Sequence, residues 1–357
     1  MEKNLILAIN PGSTSTKIAV FEGENQVFIT TLRHTAEEIG RYASIAEQFP
    51  FRKQIILSEL DKAGVDTGRL VAVVGRGGLL RPIESGVYEV NERMIHDLEH
   101  PVLGHHASNL GGLIAHSIAS SIPGAKAYIA DPVVVDEMQD VARVTGLPQC
   151  QRKSIFHALN QKAIARTYAK SQGKRYEDLN LVIAHLGGGI SVGAHAKGRV
   201  IDVNNALDGD GPFSPERAGT LPAGALADLC FCGEFDRAQI SKLLCGKGGM
   251  VAHLGHNDAY KLEMDAKAGH GPSVLLQDAL CYNVGKSIGA MATVLEGAVD
   301  AILLTGGIAH NPYLVDYVKR MVAFIAPVVV YAGEDEMAAL AMNARMVLSG
   351  EMKPKVY

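Results

Sequence analysis

An α/β protein built from two domains is what this sequence predicts, and three observations lead there. The chain has 357 residues, more than twice the roughly 150 of a common domain. Apolar runs of strand length alternate with stretches of helix length, and no linker rich in Pro, Ser or charge divides them. A strand–turn–strand–turn–strand layout occurs twice, about one domain length apart, which reads as a duplication.

The first copy opens with Leu5–Ile9, the uninterrupted apolar run of a buried strand. Lys17–Phe21 and Gln26–Thr30 follow, joined by a turn over Glu22-Gly-Glu-Asn25. Val71–Val74 is a further buried strand. Gly104–Ser121 has helical spacing and stops at the breaker pair Pro123-Gly124. Ala127–Ala130 is a strand running into Asp131-Pro132, and Phe156–Ser171 is an amphipathic helix. The second copy begins at Leu181–His185, turns through Gly187-Gly-Gly189 and continues as Ser191–Ala196. It turns again at Lys197-Gly198 and ends as Arg199–Val203. Leu275–Leu295 is weakly polar but holds Gln277, Asp278, Asn283 and Lys286, so it predicts a buried helix and not a membrane span. Asp300–Leu304 is a strand entering Thr305-Gly-Gly-Ile308, and a helix starts near Pro312. Ala326–Tyr331 is the last strand and Glu336–Leu348 the last helix.

Composition narrows the function. Hydrophobic residues make up 47% and charged residues 20%, the balance of an ordinary folded protein. Basic and acidic residues number 34 and 38, a net charge of -4. That balance offers no basic face for nucleic acid and no polybasic membrane anchor. The chain enters a strand at once, without an apolar signal segment. Five cysteines without paired spacing (Cys150, Cys230, Cys232, Cys245, Cys281) predict a reducing, cytoplasmic setting. Neither Cys230-Phe-Cys232 nor the histidines His96, His100, His105, His106 and His116 have a metal-binding pattern.

Three small-residue loops follow strands. Asn10-Pro-Gly-Ser-Thr-Ser-Thr-Lys17 offers backbone N–H groups, hydroxyls and one positive charge to an anion, though it reads equally as a polar hairpin turn. It is not a Walker loop, because G-x-x-x-x-G-K is absent. His185-Leu-Gly-Gly-Gly-Ile-Ser191 is a second, more open cradle at the mirrored place in the duplication. Thr305-Gly306-Gly307-Ile308 ends a strand where glycine lets a ring or ribose approach the backbone, or simply makes a tight turn.

In this order and spacing the loops resemble the phosphate 1, phosphate 2 and adenosine motifs of the acetate and sugar kinase, Hsp70 and actin superfamily. Asn10-x-Gly12-Ser13-Thr14-Ser15-x-Lys17 and His185-x-Gly187-x-Gly189-x-Ser191 resemble the two signatures of the acetate kinase family, over essentially the whole chain. Gly306-Gly-Ile-Ala-His-Asn311 and Glu334-Asp-Glu-Met337 are most similar to the branch of that family that acts on butanoate. The resemblance implies two RNase H-like (actin-like ATPase) domains with a cleft between them, residues 1–131 plus 335–357 and residues 132–334. It implies the reaction ATP + butanoate = ADP + butanoyl phosphate, with Mg²⁺, in a homo-oligomer. The nucleotide would meet Asn10, Ser13, Ser15 and Lys17, then His185, Gly187, Gly188 and Gly189, then Gly306, Gly307, Ile308 and Asn311.

Joining a phosphoryl group to a carboxylate brings two anions together, so such a site needs cations and a metal held by carboxylates. No general base is required, because the carboxylate is already ionised at pH 7. Arg76, in Gly75-Arg-Gly-Gly78, is placed to clamp a carboxylate and reads equally as a surface arginine in a glycine turn; Arg81 is its neighbour and competitor. The family's matching residues make Arg76 and Arg217 substrate arginines, Asp131 a catalytic and Mg²⁺-supporting acid, and His157 a partner of the moving phosphoryl group. The context Pro-Glu-Arg217 departs from the family's usual Gly-Thr-Arg. Glu336 is the expected metal-directed glutamate, with Asp335 close behind and Glu334 beside it.

Acetate kinases carry bulky residues where this chain has Gly77 and Gly78, so space for extra methylenes beside Arg76 is expected, with Phe156 also lining the pocket. Each buried methylene contributes about 0.8 kcal/mol, which favours butanoate over acetate but separates C3 to C5 and branched acids poorly. Acetate, propionate or a branched acid therefore stays as an alternative substrate. A nucleotide-regulated binding protein of the Hsp70 or actin kind is the remote rival; it predicts assembly insertions or a peptide-binding domain, and for the latter the chain length is expected to leave no room.

Overall fold

A computed structural model describes residues 3–357. The chain forms two compact units. The first comprises Met1–Val135 (described from Lys3), Ala158–Asn160 and Asp335–Tyr357; the second comprises Asp136–His157 and Gln161–Glu334.

The strands of the first unit are β1 (Leu5–Pro11), β2 (Ser15–Glu22), β3 (Asn25–Arg33), β4 (Leu70–Arg76), β5 (Val87–Glu89) and β6 (Lys126–Ala130). They form one sheet in the order β3-β2-β1-β4-β6-β5. β1, β2 and β3 are an antiparallel meander, whereas β4 runs parallel to β1 and β6 parallel to β4. The central parallel strands are covered on both faces, hence their continuous apolar runs. Leu7, Ile9, Val73 and Val74 are fully buried. The helices Asn109–Ala119 and Glu336–Leu348 pack on β1, β4 and β6.

The second unit repeats the plan. Its strands are β7 (Asn180–Leu186), β8 (Ile190–Ala196), β9 (Arg199–Val203), β10 (Ala301–Gly306) and β11 (Val328–Ala332), in the order β11-β10-β7-β8-β9. Again three antiparallel strands are followed by a strand parallel to the first. The β8–β9 hairpin closes over Lys197 and Gly198, both with positive φ, the geometry a two-residue turn needs to match strand twist. Side chains alternate across the sheet. Val182, Ala184, Ile302 and Leu304 face the helices Gly271–Val294 and Pro312–Val322. Leu181, Ile183, Ala301 and Leu303 face the helix Ala158–Ser171.

Every strand read from the sequence is present, with ends moved by a few residues. The short edge strand β5 was not expected: three residues carry too little periodicity to stand out. Among the described residues no helix is long and apolar enough to cross a membrane.

Candidate active site

In open α/β sheets ligands bind beyond the carboxyl ends of the parallel strands. In the first unit those ends carry Asn10 on β1, Arg76 on β4 and Asp131 just past β6. The registers Ile9↔Gly75 and Arg76↔Ala130 set them in one row. An Arg76 Nη1 lies 2.5 Å from Glu336 Oε1 and donates to Asn10 Oδ1 at 3.5 Å, while Asn10 Nδ2 donates to Glu336 Oε2. A guanidinium, an amide and a carboxylate thus converge on one point. The helix Glu336–Leu348 supplies the carboxylate from its first residue. Its cap is Asp335, whose side chain accepts from Ala338 N–H at 2.9 Å. Two adjacent acids that the sequence cannot rank therefore do different things: Asp335 caps, and Glu336 meets Arg76.

Asp131 is 1% exposed and has a φ of 38°, a left-handed backbone seldom adopted by a residue with a side chain. Its Oδ1 accepts from Ser85 Oγ at 2.7 Å and from Gly86 N–H at 2.8 Å, which hold the strained residue in place. Lys17 pairs across the ladder with Asn10, so the two side chains leave the same face of the sheet.

Gly77 and Gly78 correct an expectation. A Cβ on Gly77 would lie 2.5 Å from Pro132 Cβ, and one on Gly78 would strike Asn109. Asn109 Oδ1 also accepts from Leu79 N–H at 2.7 Å. Gly77 lets the turn after β4 pack against Pro132 and Ile129, and Gly78 lets it pack onto the start of the helix Asn109–Ala119; they do not open space for methylenes. Arg81 is engaged elsewhere, with Asp97 at 2.9 Å.

In the second unit His185 is the next-to-last residue of β7, opposite Ser191 on β8, and its ring stacks on His157 with centroids 3.9 Å apart. His185 Nε2 lies 3.4 Å from Glu334 Oε2. His157 occupies the cap position of the helix Ala158–Ser171, yet its side chain makes no capping bond. Its Nδ1 lies 2.9 Å from Ser191 Oγ instead. Ser191 Oγ accepts from Gln161 Nε2 at 2.8 Å and from the His157 N–H at 3.4 Å. With both acceptor positions used, the hydroxyl proton goes to His157 Nδ1, which places the ring's own proton on Nε2. Gln161 in turn bonds the fully buried His195, whose other nitrogen meets Tyr176 Oη at 2.7 Å.

The glycine loop is Gly187–Gly189, closed by Gly187 N–H to Gly189 O at 3.1 Å. Arg217 lies against it: a Cβ on Gly189 would fall on the guanidinium, whose Nη1 donates to Ala206 O. Ser214 Oγ donates to Gly188 O at 2.7 Å, so the loop carrying Arg217 is tied to the glycine loop. Two acids of that loop hold it in shape. Asp210 bonds Arg152 at 2.8 Å and Asn205 N–H at 2.8 Å, and Asp208 accepts from Asn205 Nδ2. Gly306 has a φ of 91° and leaves no room for a Cβ against Leu186 O, whereas Gly307 and Gly188 have no atom within 4 Å of that position. Ile308 is buried, and Asn311 is spent on capping the next helix and bonding Gln277 at 3.2 Å. Phe156 is 2% exposed.

The sequence profile of the Acetokinase family matches residues 140–349. A curated relative, Butyrate kinase 2 of Clostridium acetobutylicum, is 54% identical over 352 residues, 99% of either chain. The chain belongs to the acetokinase family. Solved structures of that family share its fold. Porphyromonas gingivalis acetate kinase superposes with a TM-score of 0.78 at 22% identity, covering 97% of this chain and 100% of that one. A Francisella tularensis propionate kinase gives 0.74 at 16% identity, covering 95% and 98%. The acetokinase fold accounts for the repeated sheet plan of the two units. Residues that local sequence did not single out are Arg52, Gln161 and His195; each is a polar residue inside an element, and only its burial marks it.

Proposed function

We propose that this chain transfers a phosphoryl group between ATP and butanoate, forming ADP and butanoyl phosphate. The choice of butanoate is carried by one observation, the 54% identity to Butyrate kinase 2 across 99% of both chains.

The residues have matching work. Arg76 binds the substrate carboxylate through its planar fork, exchanging Glu336 for the incoming anion. Asn10 keeps that guanidinium oriented. Arg217 and the N–H groups of Gly187–Gly189 neutralise the phosphate charge. His157 donates from Nε2 to a phosphoryl oxygen, and the ring of His185 fixes its plane. Ser13, Ser15 and Lys17 hold phosphate oxygens, while Gly306, Gly307 and Ile308 leave the backbone open to the adenosine.

Mg²⁺ is ordinarily held by one or two carboxylates, completed by phosphate oxygens and water. Asp131 and Glu336 are oxygen donors of that kind, and the described residues hold no group of three acids, histidines or cysteines that would favour a denser metal site. When bound, the ion supplies positive charge to the phosphate oxygens.

The test is acyl hydroxamate formation with ATP and Mg²⁺ across C2 to C5 straight and branched acids. Butanoate is expected to have the highest kcat/KM. Equal values for acetate and butanoate would remove the substrate assignment, and no acyl phosphate from any acid would remove the reaction.

A further inference from the structure

Arg52 lies on the helix Phe49–Lys62 and is 1% exposed. Its guanidinium donates to the carbonyl oxygens of Gly12 at 2.7 Å, Ser13 at 3.0 Å and Ser15 at 3.0 Å. It also donates to Thr16 Oγ1 at 3.1 Å and Gln48 Oε1 at 2.9 Å. All of these acceptors are neutral. No carboxylate forms an ion pair with Arg52 among the described residues, although buried arginines are usually paired. The titratable neighbour His34 bonds Thr16 Oγ1 at 2.9 Å. Burial, with the charge of Arg52 second, holds the His34 pKa down, and Glu38 opposes them weakly.

The loop geometry follows from this grip. In a trans peptide the N–H points opposite to the preceding C=O. The Gly12 and Ser13 carbonyls turn toward Arg52, so the N–H groups of Ser13 and Thr14 turn away from it, to the exposed side of the loop. Two successive N–H groups aimed the same way form an anion-binding concavity. Behind them stands a full positive charge in a low-dielectric setting, where its field is weakly screened.

We infer that Arg52 is a positioning residue for phosphate: it aims the Ser13 and Thr14 amides at a phosphate oxygen of the nucleotide and adds uncompensated positive charge behind them. This rests on the reading of Asn10–Lys17 as a phosphate loop. Nothing in local sequence marks Arg52, which sits well outside the glycine and serine motif.

The experiment is calorimetric titration of the full chain with Mg-ATP and with AMP, alongside thermal denaturation. Arg52→Met is expected to weaken ATP binding by about ten- to hundredfold and to leave AMP within about twofold. Arg52→Lys keeps the charge but cannot fork across three carbonyls, so its ATP affinity falls between the two. A purely structural arginine would lower the melting temperature and leave the ATP-to-AMP ratio unchanged; that result in a folded variant overturns the inference. Should Arg52→Met fail to fold, Arg52→Lys decides, and wild-type ATP affinity there overturns it equally. An unmodified chain that binds no ATP would overturn the proposed reaction itself, and this inference with it.

Discussion

His195 has no exposed surface, and both ring nitrogens are bonded, to Gln161 and Tyr176. The Gln161 amide also donates to the Ser191 carbonyl at 3.0 Å, which fixes its orientation and turns Oε1 to His195. His195 is therefore a neutral ring with its proton on Nε2. Burial, with Lys162 adding to it, pushes its pKa well below the ordinary 6.5. Below pH 6.5 the unfolded chain takes up a proton that the folded chain refuses, so stability falls as pH drops and is flat above. His195→Gln keeps an acceptor for Tyr176 and a donor for Gln161. Urea midpoints from about pH 7 to about pH 5 are expected to fall less steeply for this variant than for the unmodified chain. Equal slopes would mean that His195 protonates in the folded protein. This residue also shows why sequence reading fell short. His157 and His185 stand beside motifs and were legible; His195 lies near the far end of β8, away from the glycine loop, where the same letter is usually packing.

At the level of elements, the helix Asn109–Ala119 approaches β4 more closely than side chains allow. A Cβ on Gly75 would strike the Gly111 carbonyl, and one on Gly111 would strike the Arg76 carbonyl. Two glycines, one on each element, let backbone lie on backbone at Arg76, the residue proposed to bind the substrate carboxylate. Gly111→Ala is expected to cost about 1–3 kcal/mol by overpacking and to lower kcat/KM for butanoate by shifting Arg76. Urea denaturation and the hydroxamate assay read the two effects; full activity in a destabilised variant would separate β4 packing from Arg76. The strands and the last helix were legible because apolar runs and caps are local. The meaning of Gly75, Gly77 and Gly78 was not, because a glycine looks the same whether it frees space or surrenders it to Pro132 or Asn109.

The whole chain repeats one sheet plan, and that repeat was the most legible feature, since each copy announces itself as strand, turn, strand, turn, strand. Among the proposed roles, Arg76 of the first unit takes the acyl carboxylate, and the glycine loops of the second take phosphate and adenosine. Gly188 and Gly307 test this division cleanly, because neither has an atom within 4 Å of a built Cβ and neither has positive φ. Added side chains there meet only what binds there. Gly188→Val and Gly307→Val are thus expected to leave the melting temperature within about 2 °C of the unmodified chain, as for open surface positions. Their KM for ATP should rise by about tenfold or more, since a side chain would stand where phosphate or adenosine must reach the backbone. The KM for butanoate should be unchanged. Steady-state kinetics with each substrate varied in turn measures the split. A rise in KM for butanoate with that for ATP untouched would reverse the assignment of the two units, and unchanged values for both would place the nucleotide away from these loops.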